Sequence, residues 1–268
     1  MKYLILILSL IATTSCNKNN DSEIKANNSQ TNFSIQELLG FDNPSGFICA
    51  YSQLGSDNIR SYDLRAYFKS HPDSLNNYPV GDLTCNNKNI PLVSNENNIY
   101  VLQDNSGNSP SFNNWLNNAI NVNFTGTGSY SKGNFTLLKY QEFSKFSLTG
   151  VTGDNNSFNK NNELSISWNA DSSNSDSVFI VITYDYETTK DLLNQNANST
   201  SVMKYVKVPD NGICTLQPSF FSTFPNNSFN RIEIYRGKYG DFNTGTSGAP
   251  RSVGVLGYSK AISKLHIL

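Results

Sequence analysis

Leu164-Ser165-Ile166-Ser167-Trp168 and, shortly after it, Val178-Phe179-Ile180-Val181-Ile182-Thr183-Tyr184 are the stretches on which the fold turns. The first alternates apolar and hydroxyl residues strictly, the period of a strand with one buried face. The second is apolar at successive positions, as a central strand covered on both faces should be. Downstream, Lys204-Tyr205-Val206-Lys207-Val208 leads through Pro209-Asp210-Asn211-Gly212 into Ile213-Cys214-Thr215-Leu216. That segment reads as a hairpin, because Asn-Gly supplies the positive φ angles of a tight turn. Arg231-Ile232-Glu233-Ile234-Tyr235-Arg236, Ser252-Val253-Gly254-Val255-Leu256-Gly257-Tyr258 and Lys264-Leu265-His266-Ile267 complete a set of roughly seven strands, enough for a sandwich with Trp168 in its core.

Upstream the same period holds. Phe47-Ile48-Cys49-Ala50-Tyr51, Tyr62-Asp63-Leu64-Arg65-Ala66-Tyr67-Phe68, Ile99-Tyr100-Val101-Leu102 and Ile120-Asn121-Val122-Asn123-Phe124 are short runs rich in β-branched and aromatic residues. Asn43-Pro44-Ser45-Gly46, His71-Pro72-Asp73, Asn105-Ser106-Gly107-Asn108 and Gly126-Thr127-Gly128 supply the turns. Ser131-Lys132-Gly133-Asn134 followed by Phe135-Thr136-Leu137-Leu138-Lys139-Tyr140 reads as a closing hairpin. One helical turn is expected at Phe33-Ser34-Ile35-Gln36-Glu37-Leu38-Leu39-Gly40, where Ser34 caps and Glu37 completes the capping box. The expected fold class is therefore all-β, with two antiparallel sandwich-like domains at 33–142 and 143–268, joined near residues 141 to 150.

Composition agrees. Aromatic residues make up 12 % of the 268 and charged residues only 15 %, a profile suited to sheets rather than surface helices. The formal charge of −1 implies no cationic surface, and binding to nucleic acid, which rests on phosphate neutralisation, is disfavoured.

The first residues carry an address. Lys2 precedes an unbroken apolar run from Leu4 to Ala12, too short to span a bilayer, and small residues Thr13, Thr14 and Ser15 lead to Cys16. Small residues before a cysteine behind a short apolar run resemble a bacterial lipoprotein processing site, in a relaxed form similar to that of Bacteroidota lipoproteins. That resemblance implies a signal peptide over 1–15, cleavage before Cys16 and a diacylglycerol thioether on its thiol. Thr13 departs from the usual leucine at its position. Several buried acyl chains at about 0.8 kcal/mol per CH₂ would hold a domain on a membrane. Removal of Met1–Ser15 leaves 253 residues and, with Lys2 gone, a charge of −2. Residues 16–32 are a polar run without apolar periodicity, expected to be a flexible tether. Lys18, Asp21 and Glu23 loosely resemble the charged patch that directs surface exposure in that family. The implied location is the cell envelope, lipid-anchored, most plainly the outer membrane, with the membrane itself as one partner.

The downstream half resembles an immunoglobulin-like β-sandwich, and with its Phe224-Pro225-Asn226-Asn227 and Arg236-Gly237 turns it resembles the C-terminal modules of uncharacterised Bacteroidota lipoproteins. It lacks the paired core cysteines of true immunoglobulin domains. Asp73-Ser74-Leu75 and Asp176-Ser177-Val178 resemble the acid-hydroxyl-apolar sequon of O-glycosylation in that group, which implies modification at Ser74 or Ser177.

Catalytic chemistry is sparse. The two histidines, His71 and His266, form no zinc spacing, and neither a Gly-x-Ser-x-Gly elbow nor a phosphate loop occurs. No cofactor and no metal are expected. Carboxylates are the remaining catalytic resource, since glycosidases need only two acids at a set separation. Glu142, Glu163, Asp185, Glu187 and Glu233 lie on or beside predicted strands, and Asp185 and Glu187 would share a strand face. Asp171-Ser172-Ser173-Asn174-Ser175-Asp176 resembles a calcium loop but lacks the glycine and terminal glutamate of an EF-hand, so a polar turn is preferred. Cys49 and Cys85 either pair, as an exported setting permits, or stand as two buried thiols, while Cys214 reads as a small core residue. Aromatics give the stronger clue. Trp115 in an amide-rich stretch, together with Tyr235, Tyr239 and Phe242, would offer rings on which sugar faces stack. The expected function is a non-enzymatic binding or adhesion module for glycan or envelope protein. A carboxylate-based glycan hydrolase and a structural scaffold are the alternatives.

Overall fold

The computed structural model of the chain describes residues 22–24, 45–57, 59–69, 74–94, 97–104, 118–127, 130–137, 141–172, 177–193, 202–244 and 251–268. Its strands in chain order are β1 (Ser22–Ile24), β2 (Gly46–Leu54), β3 (Arg60–Phe68), β4 (Leu83–Cys85), β5 (Lys88–Ile90), β6 (Leu92–Val93), β7 (Ile99–Asp104), β8 (Ile120–Phe124) and β9 (Gly133–Leu137). They continue as β10 (Phe146–Thr149), β11 (Ser157–Phe158), β12 (Leu164–Trp168), β13 (Ser177–Tyr184), β14 (Met203–Pro209), β15 (Ile213–Leu216), β16 (Ser228–Thr244) and β17 (Arg251–Ile267); the described residues also include an α-helix, α1 (Tyr186–Leu193), and a 3-10 turn at Pro218–Phe221. Cys16, Trp115, His71 and the expected helical turn at 33–40 lie outside the described residues. The chain is all-β, and its residues form two units, one from 144–234 and 262–268, the other from 31–143 and 235–261, with β1 paired to the first.

The first unit is an immunoglobulin-like sandwich. Its three-stranded sheet runs β10-β12-β15, and its larger sheet runs β1-β14-β13-β16. Strict alternation in β12 buries Leu164, Ile166 and Trp168 and turns Ser165 and Ser167 outward, where they meet Thr215 at 3.0 Å and Ser147 at 2.7 Å through their hydroxyls. Val178, Ile180 and Ile182 supply the opposing buried row from β13. The segment 204–216 is not the hairpin expected. β14 pairs with β13 and β1, whereas β15 pairs with β12, so the turn between them is an arch that crosses from one sheet to the other. Gly212, at φ 89°, makes the crossing, and its carbonyl accepts from Trp168 N at 2.9 Å. Trp168 Nε1 donates to Asp210 Oδ1 at 2.8 Å, so the core ring is tied to the arch. The chain past Tyr184 also departs from a strand. Asp185 caps α1, its Oδ1 accepting from Thr188 N at 3.0 Å and its Oδ2 from the Thr188 hydroxyl at 2.7 Å.

In the second unit β17, β2, β3, β7 and β6 lie side by side, and a second sheet runs β5-β4-β8-β9. A hairpin is present here, β8 against β9, but Gly133 and Asn134, expected in its turn, are the first residues of β9, and residues 138–140 lie outside the described residues. Ile48, Leu64, Phe68, Val122 and Phe124 bury one face of each sheet in a common core, which Val253 and Val255 of β17 complete. The pairing of β17 with β2 is parallel, from Val253 opposite Gly46 to Ala261 opposite Leu54. Residues 235–261 therefore belong with the upstream half, and the division at 142/143 expected from sequence is a correction in part: the chain passes into the second unit again. Ser252–Tyr258 and Lys264–Ile267 are one strand rather than two, and Arg236-Gly237 lies inside β16 rather than in a turn. Residues 141–143 are pinned within this unit. Glu142, 2 % exposed, pairs with Arg60 at 3.0 Å and accepts from the Tyr62 hydroxyl at 3.2 Å. Arg236, 1 % exposed, lies 4.4 Å over the Phe143 ring and donates to the Gln141 carbonyl at 2.9 Å.

Candidate functional site

β2 and β17 are apolar on both faces, so one face enters the core and the other must be covered differently. Opposite Ile48 and Ala50 stand Phe47, Cys49 and Tyr51, and register places Gly254, Leu256 and Tyr258 of β17 beside them. On the other flank β3 sets Tyr67 opposite Phe47, Arg65 opposite Cys49 and Asp63 opposite Tyr51. Phe47, Leu256 and Tyr258 are buried at the centre, and half-buried Tyr51, Tyr67, Tyr235 and Tyr239 pack against them. Two of the residues singled out from sequence, Tyr235 and Tyr239, thus enter one aromatic face. Phe242 does not, because it stacks on Phe135 at 5.1 Å beside the core.

The rings are ordered by specific contacts. Tyr51 stacks on Tyr258 with centroids 4.9 Å apart at 10°, and Tyr235 tilts against Tyr258 at 6.0 Å. Phe47 meets Tyr67 at 5.9 Å. Tyr239 lies across Gly254, where a Cβ would stand 3.0 Å from its ring and hydroxyl, so a larger residue there would require the ring to shift by a few tenths of an ångström. Asp63 is the polar centre. It is 6 % exposed, and its carboxylate accepts from Gln103 Nε2 at 2.8 Å, Arg65 Nε at 3.2 Å and the Tyr51 hydroxyl at 3.3 Å. These donors compensate its burial. Burial, then the Asp63 charge, pushes the Cys49 thiol and the Tyr51 hydroxyl each up to about 12, so both keep their protons at neutral pH.

Cys49 and Cys85 are not joined, and the disulfide offered by the sequence is corrected: both are free thiols. Cys49 belongs to the aromatic face, whereas Cys85 packs in the core reached from the opposite side of β2. Cys214 is buried on β15. The acids do not assemble as the sequence suggested. Asp185 serves the helix cap, Glu187 sits exposed in the first turn of α1, Glu233 pairs with Arg231 at 3.1 Å, and Glu142 is held by Arg60 and Tyr62. Glu163 is exposed, and Asp171 is buried. Among the described residues no three metal-ligating side chains gather. Ser74 stands in a loop beside Leu75, which is 92 % exposed, while Ser177 opens β13 opposite Pro209. Tyr51, Tyr67 and Tyr258 were not singled out from sequence. The available signal was their phase: each shares its strand parity with Phe47, Asp63 or Leu256.

No family model matches the chain, and no curated protein matches it. Among solved structures it is similar to the crystal structure of chicken CNTN1 FN1-FN3 domains, at 14 % identity and a TM-score of 0.24. That match covers 80 % of this chain and 65 % of the chicken chain.

Proposed function

We propose that the protein is a lipid-anchored, non-enzymatic binding module of the cell envelope whose β16-β17-β2-β3 face takes a glycan. The observation that carries this is the set of half-buried tyrosines on the face that also carries Asp63, with Tyr51 bonded to it: apolar ring surface and hydrogen-bonding groups on one sheet face suit the mixed faces of sugars. The use of Glu142, Asp185 and Glu233 in structural contacts supports binding over hydrolysis. Attachment is assigned to Cys16 on the sequence pattern alone, with the outer membrane as the location.

The test uses full-length protein extracted in detergent and applied to a glycan array. Binding without release of reducing ends is expected, and Tyr235→Ala should weaken it at least about tenfold, near 1.4 kcal/mol. Failure of the folded wild type to retain any glycan overturns the reading, as does sugar release that Glu187→Gln abolishes. For the anchor, radiolabelled palmitate should enter the wild type and not Cys16→Ala; equal labelling of both would refute it.

A further inference from the structure

We infer that one end of the first unit rests on the membrane that holds Cys16, and that β1 keeps it there; this deepens the lipid-anchor reading and rests on it. The stretch expected to be a flexible tether, residues 16–32, contains β1, which adds an antiparallel strand to the edge of β14 with Ser22 opposite Tyr205 and Ile24 opposite Met203. Without it that edge would present backbone N–H and C=O groups that lack strand partners. The pairing moves the point at which the chain joins the folded protein from Gly46 back to Ser22. Between Cys16 and Gly46 the backbone makes thirty Cα–Cα steps (46 − 16), about 100 Å at full extension, whereas between Cys16 and Ser22 it makes six (22 − 16), about 20 Å.

The direction of β1 selects the end. Because β1 is antiparallel to β14, its amino end lies toward Pro209, where the arch of residues 209–212 crosses to β15. Tyr205 and Pro209 are four residues apart, about 13 Å along a strand, so a leash of about 20 Å passes the arch by only about 7 Å. A lipid on Cys16 therefore brings the arch, and the adjoining edge of β14, to the headgroups. Ile213, 55 % exposed, stands at this end with Pro209, also exposed, and together they offer apolar surface to the headgroup boundary. Lys145 is exposed at the same end, directly before Phe146, which pairs with Trp168. The opposite end, where Asp185 N donates to the Phe229 carbonyl and Asn226 is exposed, lies about 23 Å away, the length of β13 from Ser177 to Tyr184.

The full-length lipidated protein is reconstituted in phosphatidylcholine vesicles that carry an acceptor dye on a fraction of their headgroups. A donor dye is placed on an azide-bearing residue in place of Lys145 or, in a second preparation, of Asn226. Energy transfer from position 145 should be at least about twice that from position 226, since the two ends differ in height by about 23 Å. An insert of about twenty Gly and Ser residues between Asn19 and Asn20, upstream of β1, adds about 25 Å of r.m.s. length and should abolish the difference. The same insert between Asn28 and Ser29, downstream of β1, should leave it unchanged. Equal transfer from the two positions without an insert overturns the inference, and so does equal loss with either insert, which would mean that β1 does not hold the leash. Both results leave the anchor standing. Partition of Cys16→Ala into the vesicles to the same extent as the wild type refutes the anchor, and the inference falls with it.

Discussion

His266 shows how one side chain ties pH to stability in this molecule. Its ring stacks on Phe229 at 4.5 Å and 11°, its Nε2 meets Asn227 Oδ1 at 3.0 Å, and its Nδ1 meets Ser157 Oγ at 3.3 Å. The carbonyl oxygen of Asn227 can only accept, so the proton sits on Nε2 and the Ser157 hydroxyl donates to Nδ1. Burial lowers the pKa below the ordinary 6.5. A lowered value means the unfolded chain takes up a proton before the folded one does. The contribution is therefore whole above about 6.5 and is lost as pH falls through the folded value. Melting temperature should drop more between neutral and mildly acidic pH in the wild type than in His266→Phe; parallel pH profiles would show that the ring is not the titrating group. At this scale the sequence spoke unevenly. Tyr235 and Tyr239 could be singled out because aromatic residues beside glycines are conspicuous. Asp63 could not, because a lone acid in a strand pattern reads as a solvated edge until Gln103, distant in sequence, is seen to donate to it.

Among elements, the runs at 47–51, 62–68, 120–124, 164–168 and 178–184 were legible because their period of two is a property of the strand itself. What connects strands is not local. Pro209-Asp210-Asn211-Gly212 carries ordinary hairpin chemistry, yet the backbone freedom of Gly212 serves an arch as readily as a hairpin. The choice is made by β12, whose Ile166 lies opposite Cys214 and whose Trp168 ties back to Asp210. Asp185 and Glu187 mislead for a related reason. Two acids in alternation with tyrosines suit a strand until Asp185 finds the Thr188 amide and hydroxyl and starts a helix instead. The short strands β4, β5 and β6 had no pattern long enough to read. Their burial comes from partners, as when Leu83 lies between Ile90 and Phe124.

For the molecule as a whole, the two units are not two stretches of sequence. β16 and β17 each contribute residues to both units, so a cut at 142/143 leaves β2 without its parallel neighbour and the second unit without Val253 and Val255. Residues 33–142 expressed alone should show no cooperative thermal transition by circular dichroism, whereas the entire chain should show one. A sharp melt of the fragment would mean that β17 is dispensable to that core. The parallel pairing of β2 with β17 also has a meaning in time. Ser52 and Ser259, joined through their hydroxyls at 2.9 Å, are 207 residues apart. A chain delivered amino terminus first presents β2 long before its partner exists, and pairings of such sequence separation form slowly. Until then the edge of β2 is open to any other strand, so the upstream half depends, during synthesis, on being kept from the wrong neighbour.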